Sequence, residues 1–399
     1  MAEQPDILVL NSGSSSIKFN LYEGERELLS GQISGLGARP HIRLNVRGKP
    51  AELNEDLGAQ DGASHETALA ALLAILERET GSISVEAVGH RVVHGGVDYA
   101  APLIINEVRL DELARLNPLA PLHQPHNLAG IRASRAAFPE ALQVACFDTA
   151  FHRHHPWVND TFALPRGYYD DGIRRYGFHG LSYEYICSYL QDHHVDAFGG
   201  RLVVAHLGNG ASMCAIENGR SIGSTMGFTA LDGLPMGTRC GQLDPGVVLY
   251  LLTTKGMSTD EVTDLLYKES GLKGLSGLSQ DMRLLSESTD PAAAAAIDYF
   301  VFRIRRELGA MAAILRGLDT LVFTGGIGEH SAFVRERVCE DQDWLGMKID
   351  RQKNASNATD ISAGGSRVRI MAVPTNEEEM IRRHTLDLLE GVAGESIGW

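Results

Sequence analysis

Basic residues are in deficit: 36 lysines and arginines face 51 aspartates and glutamates, a formal charge of −15. That balance argues against nucleic acid or an anionic membrane surface as partner. Cysteine is sparse, with five thiols at Cys146, Cys187, Cys214, Cys240 and Cys339 and no Cys-x-x-Cys pair. An odd, widely spaced set does not read as a disulfide framework and fits reduced thiols. No apolar run approaches the length of a membrane span, and no signal-peptide pattern is present. A soluble cytoplasmic protein is the expectation.

Glycine, by contrast, is plentiful: 43 of 399 residues, roughly 11% against an average near 7%. With an apolar fraction of 44%, this points to tight turns near ligands rather than to disorder. The length allows two domains with well-developed cores. An acidic protein that binds an anionic ligand must supply its own local cations. Basic residues set in Gly-rich turns are therefore the places to look.

The opening stretch Ile7–Phe19 reads as a hairpin: an apolar strand Ile7–Leu10, a polar turn Asn11–Ser16, then Ile17, Phe19 and Leu21 alternating with polar residues. Its hydroxyls, amide, glycine and Lys18 can surround an anion, although Asn, Ser and Gly are also ordinary turn residues. It is not a Walker-type loop, which ends in Gly-Lys-Ser/Thr and opens a helix. Further on, Ser64–Glu79 has helical spacing, with Gly81 as C-terminal cap. Arg91 ends an apolar strand at two glycines, where its planar fork suits a carboxylate or phosphate, or else a structural ion pair. Leu119–His126 reads as a loop before a helix over 127–137, and its two histidines as ordinary hydrogen-bonding groups or metal ligands. Asp148 follows a buried strand, where open α/β sheets present ligand-binding groups. His152, His154 and His155 read as a solvated loop, with zinc a minor alternative.

The second half repeats the opening design. Leu202–Ile216 is again an apolar strand, a Gly/Asn/Ser turn and an alternating strand, with Gly210 over Gly13 and Ser212 over Ser15. Two such hairpins from similar halves could clamp one polyphosphate. His179 lies between aromatics and glycines ahead of a helix with Ser182 as cap, and Arg239 lies in a long Gly-rich loop over 226–241. A Gly/Ser loop over 271–283 carries Asp281 and Arg283. Asp290 opens a long amphipathic helix. Leu321–His330 runs from strand through a glycine turn into a helix, a geometry suited to phosphate or nucleoside. Thr375 and Glu378 are placed for a capping box on the last helix.

Asn11-Ser-Gly-Ser-Ser-Ser-Ile-Lys18, His90-Arg-Val-Val-His-Gly-Gly96, Phe147-Asp-Thr-Ala-Phe-His152, Arg175-Tyr-Gly-Phe-His-Gly180, His206-Leu-Gly-Asn-Gly210, Met236-Gly-Thr-Arg239, Asp281-Met-Arg283 and Gly326-Ile-Gly-Glu329 resemble the motifs of the acetate kinase family, in its order across essentially the whole chain. The resemblance implies an α/β protein with two RNase H-like (actin-like ATPase) domains and a nucleotide cleft between them. The expected boundaries are 1–150 with the C-terminal helix 380–399, and 151–379. The implied reaction is reversible transfer of the ATP γ-phosphoryl group to acetate, with Mg²⁺ (or Mn²⁺) as cofactor and a homodimer as the working form. Carried onto this sequence, the resemblance places Asn11 and Glu377 at the metal and Lys18 near the nucleotide phosphates. Arg91 would hold the carboxylate, with Val93, Leu122 and Phe178 around its methyl group, and Asp148 is the family's active-site acid. His179 and Arg239 would stabilise the phosphoryl group in transfer. ATP would lie along His206, Leu207, Gly208, Asn209 and Gly210, along Asp281, Met282 and Arg283, and along Gly326, Ile327, Gly328, Glu329 and His330.

Three positions depart from the family pattern. Ala230 replaces a proline that walls the methyl pocket, leaving room for about one more methylene; a propionate or butyrate kinase is thus an alternative. His330 stands where asparagine is usual, and Gln124 likewise. Other classes are a non-catalytic nucleotide-dependent module, against which Arg91, His179 and Arg239 speak, and a phosphoanhydride hydrolase. Because acetate is already ionised at neutral pH (carboxyl pKa roughly 4 to 5), Asp148 is expected to orient Arg91 or a metal-bound water rather than to take a proton.

Overall fold

A computed structural model of the chain describes residues 4–396, apart from 14, 15, 49–51, 59, 82, 83 and 122. Leu122 and Ser15, both named above, lie outside the described residues. The chain divides into two α/β units, Met1–Ala150 with Asn376–Trp399, and Phe151–Thr375. Residues 376–379 thus go with the first unit, whereas the sequence reading put them in the second.

The first unit is built on β1 (Asp6–Ser12), β2 (Ser16–Glu23), β3 (Arg26–Ser34), β4 (His41–Val46), β5 (Leu53–Asp56), β6 (Val85–Val92), β7 (Leu103–Ile104) and β8 (Leu142–Phe147). They form one sheet in the order β5-β4-β3-β2-β1-β6-β8-β7. β1 and β2 make the antiparallel hairpin read from the sequence, and β6 and β8 run parallel to β1. The pairing extends further than the turn residues imply: Asn11 pairs with Lys18 and Ser12 with Ile17, so Asn11 lies within a strand instead of starting a turn. Alternation along β2 buries Ile17, Phe19 and Leu21 and leaves Lys18 exposed. Helix His65–Thr80 carries Ser64 as N-cap and Gly81 at its end, and packs Leu69, Leu72 and Leu76 into the same core.

Helix Glu377–Ser396 lies on β1 and β6. Its approach depends on Gly89, where a Cβ would come 2.3 Å from Thr385 Oγ1 and 2.6 Å from Ile381 Cγ2. The expected Thr375–Glu378 capping box is not formed. Asn376 Oδ1 accepts the Glu379 N–H at 3.0 Å, and Thr375 is engaged elsewhere.

The second unit repeats the central arrangement with β9 (Arg201–Leu207), β10 (Ala211–Glu217), β11 (Arg220–Ser224), β12 (Thr320–Thr324) and β13 (Arg369–Ala372), in the order β11-β10-β9-β12-β13. β9 and β10 form the antiparallel hairpin, and β12 and β13 run parallel to β9. That matches β3-β2-β1-β6-β8 strand for strand, so the hairpin repeat reflects a repeated fold. Helix Pro291–Ile314, N-capped by Asp290, buries Ile297, Val301, Ile304, Leu308 and Met311 as its spacing predicts.

Several loops are more regular than their composition suggests. Helix Gln124–Ala137 starts within the segment read as a loop, and Gly271–Ser276 is a short helix. Among the described residues, no helix is long and apolar enough to cross a membrane.

Candidate active site

In the first unit the parallel register brings the carboxyl ends of three strands together. Leu10 pairs with His90 and Val92 with Phe147, so Asn11, Arg91 and Asp148 emerge side by side. Arg91 donates from Nε to Asp148 Oδ1 at 2.9 Å and from Nη2 to Asp148 Oδ2 at 2.6 Å. Its Nη1 donates to Asn11 Oδ1 at 3.2 Å. Glu377 Oε2 sits 3.8 Å from Arg91 Nε, brought there by the first turn of the last helix. These bonds use three of the five N–H groups of a guanidinium.

Electrostatics favours keeping this cluster charged at Arg91. Burial opposes its charge, but Asp148 and then Glu377 outweigh that and raise its pKa. The Asp148 side chain is 2% exposed, so its carboxylate is committed to Arg91. Glu377 is different: burial pushes its carboxyl up to about 7, Arg91 pulls it down, and Asp148 and Glu378 repel it. Protonation there relieves like-charge crowding, and a bound cation would do the same. The donor set, one carboxamide oxygen and one carboxylate, is hard oxygen chemistry. It suits Mg²⁺, which takes few protein ligands and completes its shell with water and phosphate. Among the described residues no group of three or more His, Cys, Asp or Glu is arranged for a metal.

Val93 is buried, and its N–H donates to Asn127 Oδ1 at 3.0 Å. Gln124, without a role at the sequence level, is fully buried and pairs both ways with the backbone of His94, accepting at 3.1 Å and donating at 3.0 Å. It braces the segment that follows Arg91. Of the two loop histidines, His126 stacks on His65 at 5.1 Å, and His65 Nε2 donates to Gly13 O at 2.7 Å. His126 is thereby tied to the hairpin through His65.

In the second unit His179 and Arg239 converge over Gly210. A Cβ built on Gly210 would lie 2.8 Å from Arg239 Nη2 and 3.2 Å from His179 Nε2. Arg239 is anchored by Nη1 to the Ala230 carbonyl at 2.7 Å. His179 Nδ1 meets Ser212 Oγ at 2.8 Å, and its ring stacks on His206 at 4.2 Å. His206 Nδ1 in turn meets Ser182 Oγ at 2.8 Å, which accepts from Thr375 Oγ1 at 2.8 Å. Ser182 is therefore inside helix Gly180–His193 as part of this chain, and the cap position is His179 itself. At φ 58° His179 is left-handed, a conformation uncommon outside glycine that costs on the order of 1 kcal/mol or more. Gly210→Ala is expected to cut turnover about a hundredfold with the fold intact, because the methyl displaces both side-chain tips. Circular dichroism beside steady-state rates checks this; a less than threefold loss would refute the convergence.

A cavity of about 680 Å³ in the second unit is lined by Gly208, Asn209, Asp281, Met282, Arg283, Gly326, Ile327 and His330. Its remaining walls include Gln280, Ser286, Ser331 and Phe333, which the sequence reading missed. Phe333, 45% exposed beside a glycine turn, was the available signal. Leu207 is fully buried in β9, and Gly328 is buried in helix Gly325–His330. Neither lines the cavity, nor do His206, Gly210 and Glu329. Glu329 Oε1 instead accepts the Gly325 and Thr375 N–H groups at 2.9 and 3.1 Å, holding the glycine turn against the end of β13. Asp281 accepts from Arg283 Nη2 at 2.6 Å and caps helix Met282–Glu287. Phe178 is buried and Ala230 partly buried.

The reading of His152 and His155 as solvated fails. His152 is fully buried and His155 half-buried, because β11 brings Ser221 against both; only His154 is exposed.

Two α/β units of one repeated strand order, one with Arg91 at its strand ends and the other with His179 and Arg239 near a Gly-lined cavity, have the actin-like ATPase fold that many phosphotransferases share. The acetokinase family pattern matches residues 6–383, and the chain belongs to that family. It is 56% identical over 97% of its length to an acetate kinase of Methylocella silvestris, 98% of which is covered. It is 52% identical over 96% of its length to one of Rhodopseudomonas palustris, again with 98% covered. Among solved structures it is similar to a propionate kinase of Francisella tularensis (TM-score 0.90, 36% identity, 96% and 100% of the two chains covered). The acetate kinase of Porphyromonas gingivalis gives a TM-score of 0.86 at 36% identity, with the same coverage.

Proposed function

We propose that this enzyme transfers the γ-phosphoryl group of ATP to acetate, giving acetyl phosphate and ADP, and runs reversibly. The observation that carries the reading is the state of Arg91. Asp148 and Asn11 take three of its N–H groups, which leaves two for an incoming carboxylate. Arg91 binds and orients acetate, while Val93 and Phe178 supply apolar contact for the methyl group. One carboxylate oxygen attacks the γ-phosphorus in line, the bond to the β–γ bridging oxygen breaks, and ADP departs with that electron pair. Charge spreads over three equatorial oxygens, so positioning and electrostatics do the work. Arg239 and His179 face that charge as it develops, and Lys18 serves the nucleotide phosphates. Asn11 and Glu377 would hold Mg²⁺, which neutralises phosphate charge when bound. The cavity around Gly208, Asp281 and Gly326 takes the nucleoside, with His330 and Phe333 at its wall. Free thiols suit a reducing cytosol.

Incubation with ATP, Mg²⁺, acetate and hydroxylamine tests the reaction. Acetohydroxamate that forms only with acetate supports it; phosphate release without acetate would identify a hydrolase instead.

Propionate is the second reading, favoured by Ala230. Ala230→Pro is expected to lower the propionate-to-acetate ratio of kcat/KM about tenfold. An unchanged ratio removes position 230 from the specificity pocket. We also propose a homodimer through the second unit. Helix Pro245–Thr253 buries none of its residues and exposes Val247, Leu249 and Tyr250. Light scattering that reads a 43.3 kDa particle would eliminate this.

A further inference from the structure

The left-handed backbone at His179 has to be held, and the neighbouring residues show what holds it. His152 Nε2 lies 3.0 Å from the Phe178 carbonyl oxygen. Its ring also fills the space beside Gly177, itself at φ 73°, where a Cβ would be 2.6 Å from His152 Cδ2 and Cγ. On its other side, His152 Nδ1 lies 2.8 Å from Ser221 Oγ, and His155 Nε2 lies 2.6 Å from the same hydroxyl. His152 is fully buried and Ser221 nearly so.

A carbonyl oxygen can only accept, which fixes every proton along this chain. His152 must carry its proton on Nε2 to donate to Phe178 O, so its Nδ1 is bare and accepts the Ser221 hydroxyl proton. Ser221 Oγ then has only lone pairs for His155, which must donate from Nε2. His155 Nδ1 is left as an acceptor, and it is buried without a partner. The row therefore has one direction: His155 to Ser221 to His152 to the carbonyl immediately before His179. Burial keeps both rings neutral, with His152 pushed down to about 4 and His155 to about 2.

We propose that His152 is a positioning residue for phosphoryl transfer: with Ser221 and His155 behind it, it locks the Gly177–His179 turn so that His179 Nε2 stays over Gly210 beside Arg239. This rests on the proposed kinase reading, since it assigns His152 to the step His179 serves. His152 touches neither substrate nor reacting atom; it acts through the backbone.

A double-mutant cycle on the full-length enzyme tests it. His152→Leu is expected to lower kcat about tenfold with KM for ATP within twofold. His152→Gln, whose amide can still donate to Phe178 O, is expected to stay within about threefold of the parent. In a His179→Ala background the same changes should each cost less than twofold, because the group they position is gone. Equal losses in both backgrounds would overturn the proposal. If His152→Leu does not fold, Ser221→Ala serves: about a threefold loss is expected, again cancelled by His179→Ala, and an uncancelled loss overturns it. Imidazole ¹⁵N spectra of histidine-labelled protein probe the lock independently of activity. A bare Nδ1 on His152 supports it, and a proton there refutes it. Should the parent enzyme form no acyl phosphate, the kinase reading fails while the nitrogen spectra still judge the lock.

Discussion

Replacing Arg239 with alanine is expected to lower kcat about a thousandfold or more and to leave KM for acetate within a few-fold. That loss is about 4 kcal/mol of transition-state stabilisation, at the lower end of what an arginine contributes to phosphoryl transfer (roughly 10³–10⁵). The side chain is held by its Nη1 bond to the Ala230 carbonyl, which leaves Nη2 directed over Gly210 beside His179 Nε2. A cation fixed before reaction need not be reorganised as charge develops. Arg239→Lys is expected to recover little, because one ammonium cannot both bond Ala230 and reach Gly210. The hydroxamate assay at saturating substrates reads kcat directly. A loss below tenfold for Arg239→Ala would remove it from the transition state.

Asp148→Asn should be nearly as damaging, and by a different route. The Asp148–Arg91 pair is two-pronged and its carboxylate almost wholly buried. An amide would accept one of the two bonds and present its NH₂ to the other donor, leaving a buried cation partly unpaired. Breaking such pairs costs about 3–5 kcal/mol in stability. With Arg91 misdirected, kcat/KM for acetate is expected to fall at least a hundredfold, with much of the fall in KM. If Asp148 were a base, small external bases would restore turnover to the variant, and such rescue would sink the orienting role. Near-parental turnover would sink both.

The sequence exposed the features set by local order. The two hairpins could be read because strand alternation and a Gly/Ser turn are contiguous, and the shared strand order confirms the repeat they announced. Arg91, Asp148, His179 and Arg239 stood out because each is a polar or charged residue at the end of an apolar run or within a glycine turn. What could not be read depends on partners far along the chain. Ser182 looks like a helix cap until His206 and Thr375 are brought against it. His152 and His155 sit in a polar stretch and look solvated, and only the return of β11 with Ser221 buries them. Gln124 and Glu329 carry no periodic signal at all, since Gln124 bonds the backbone of His94 and Glu329 the backbone of Thr375, both far along the chain.

The first unit is interrupted: residues Phe151–Thr375 form the other unit, and the chain then returns with the helix that lies on β1 and β6. On a ribosome the amino-terminal sheet must therefore wait, one flank uncovered, while the whole inserted unit is made and has time to fold. Glu377 and the surface around Gly89 are completed last. A chain ending before Asn376 would lack the glutamate beside Arg91, so the cluster at the ends of β1, β6 and β8 is completed only after the inserted unit has been made.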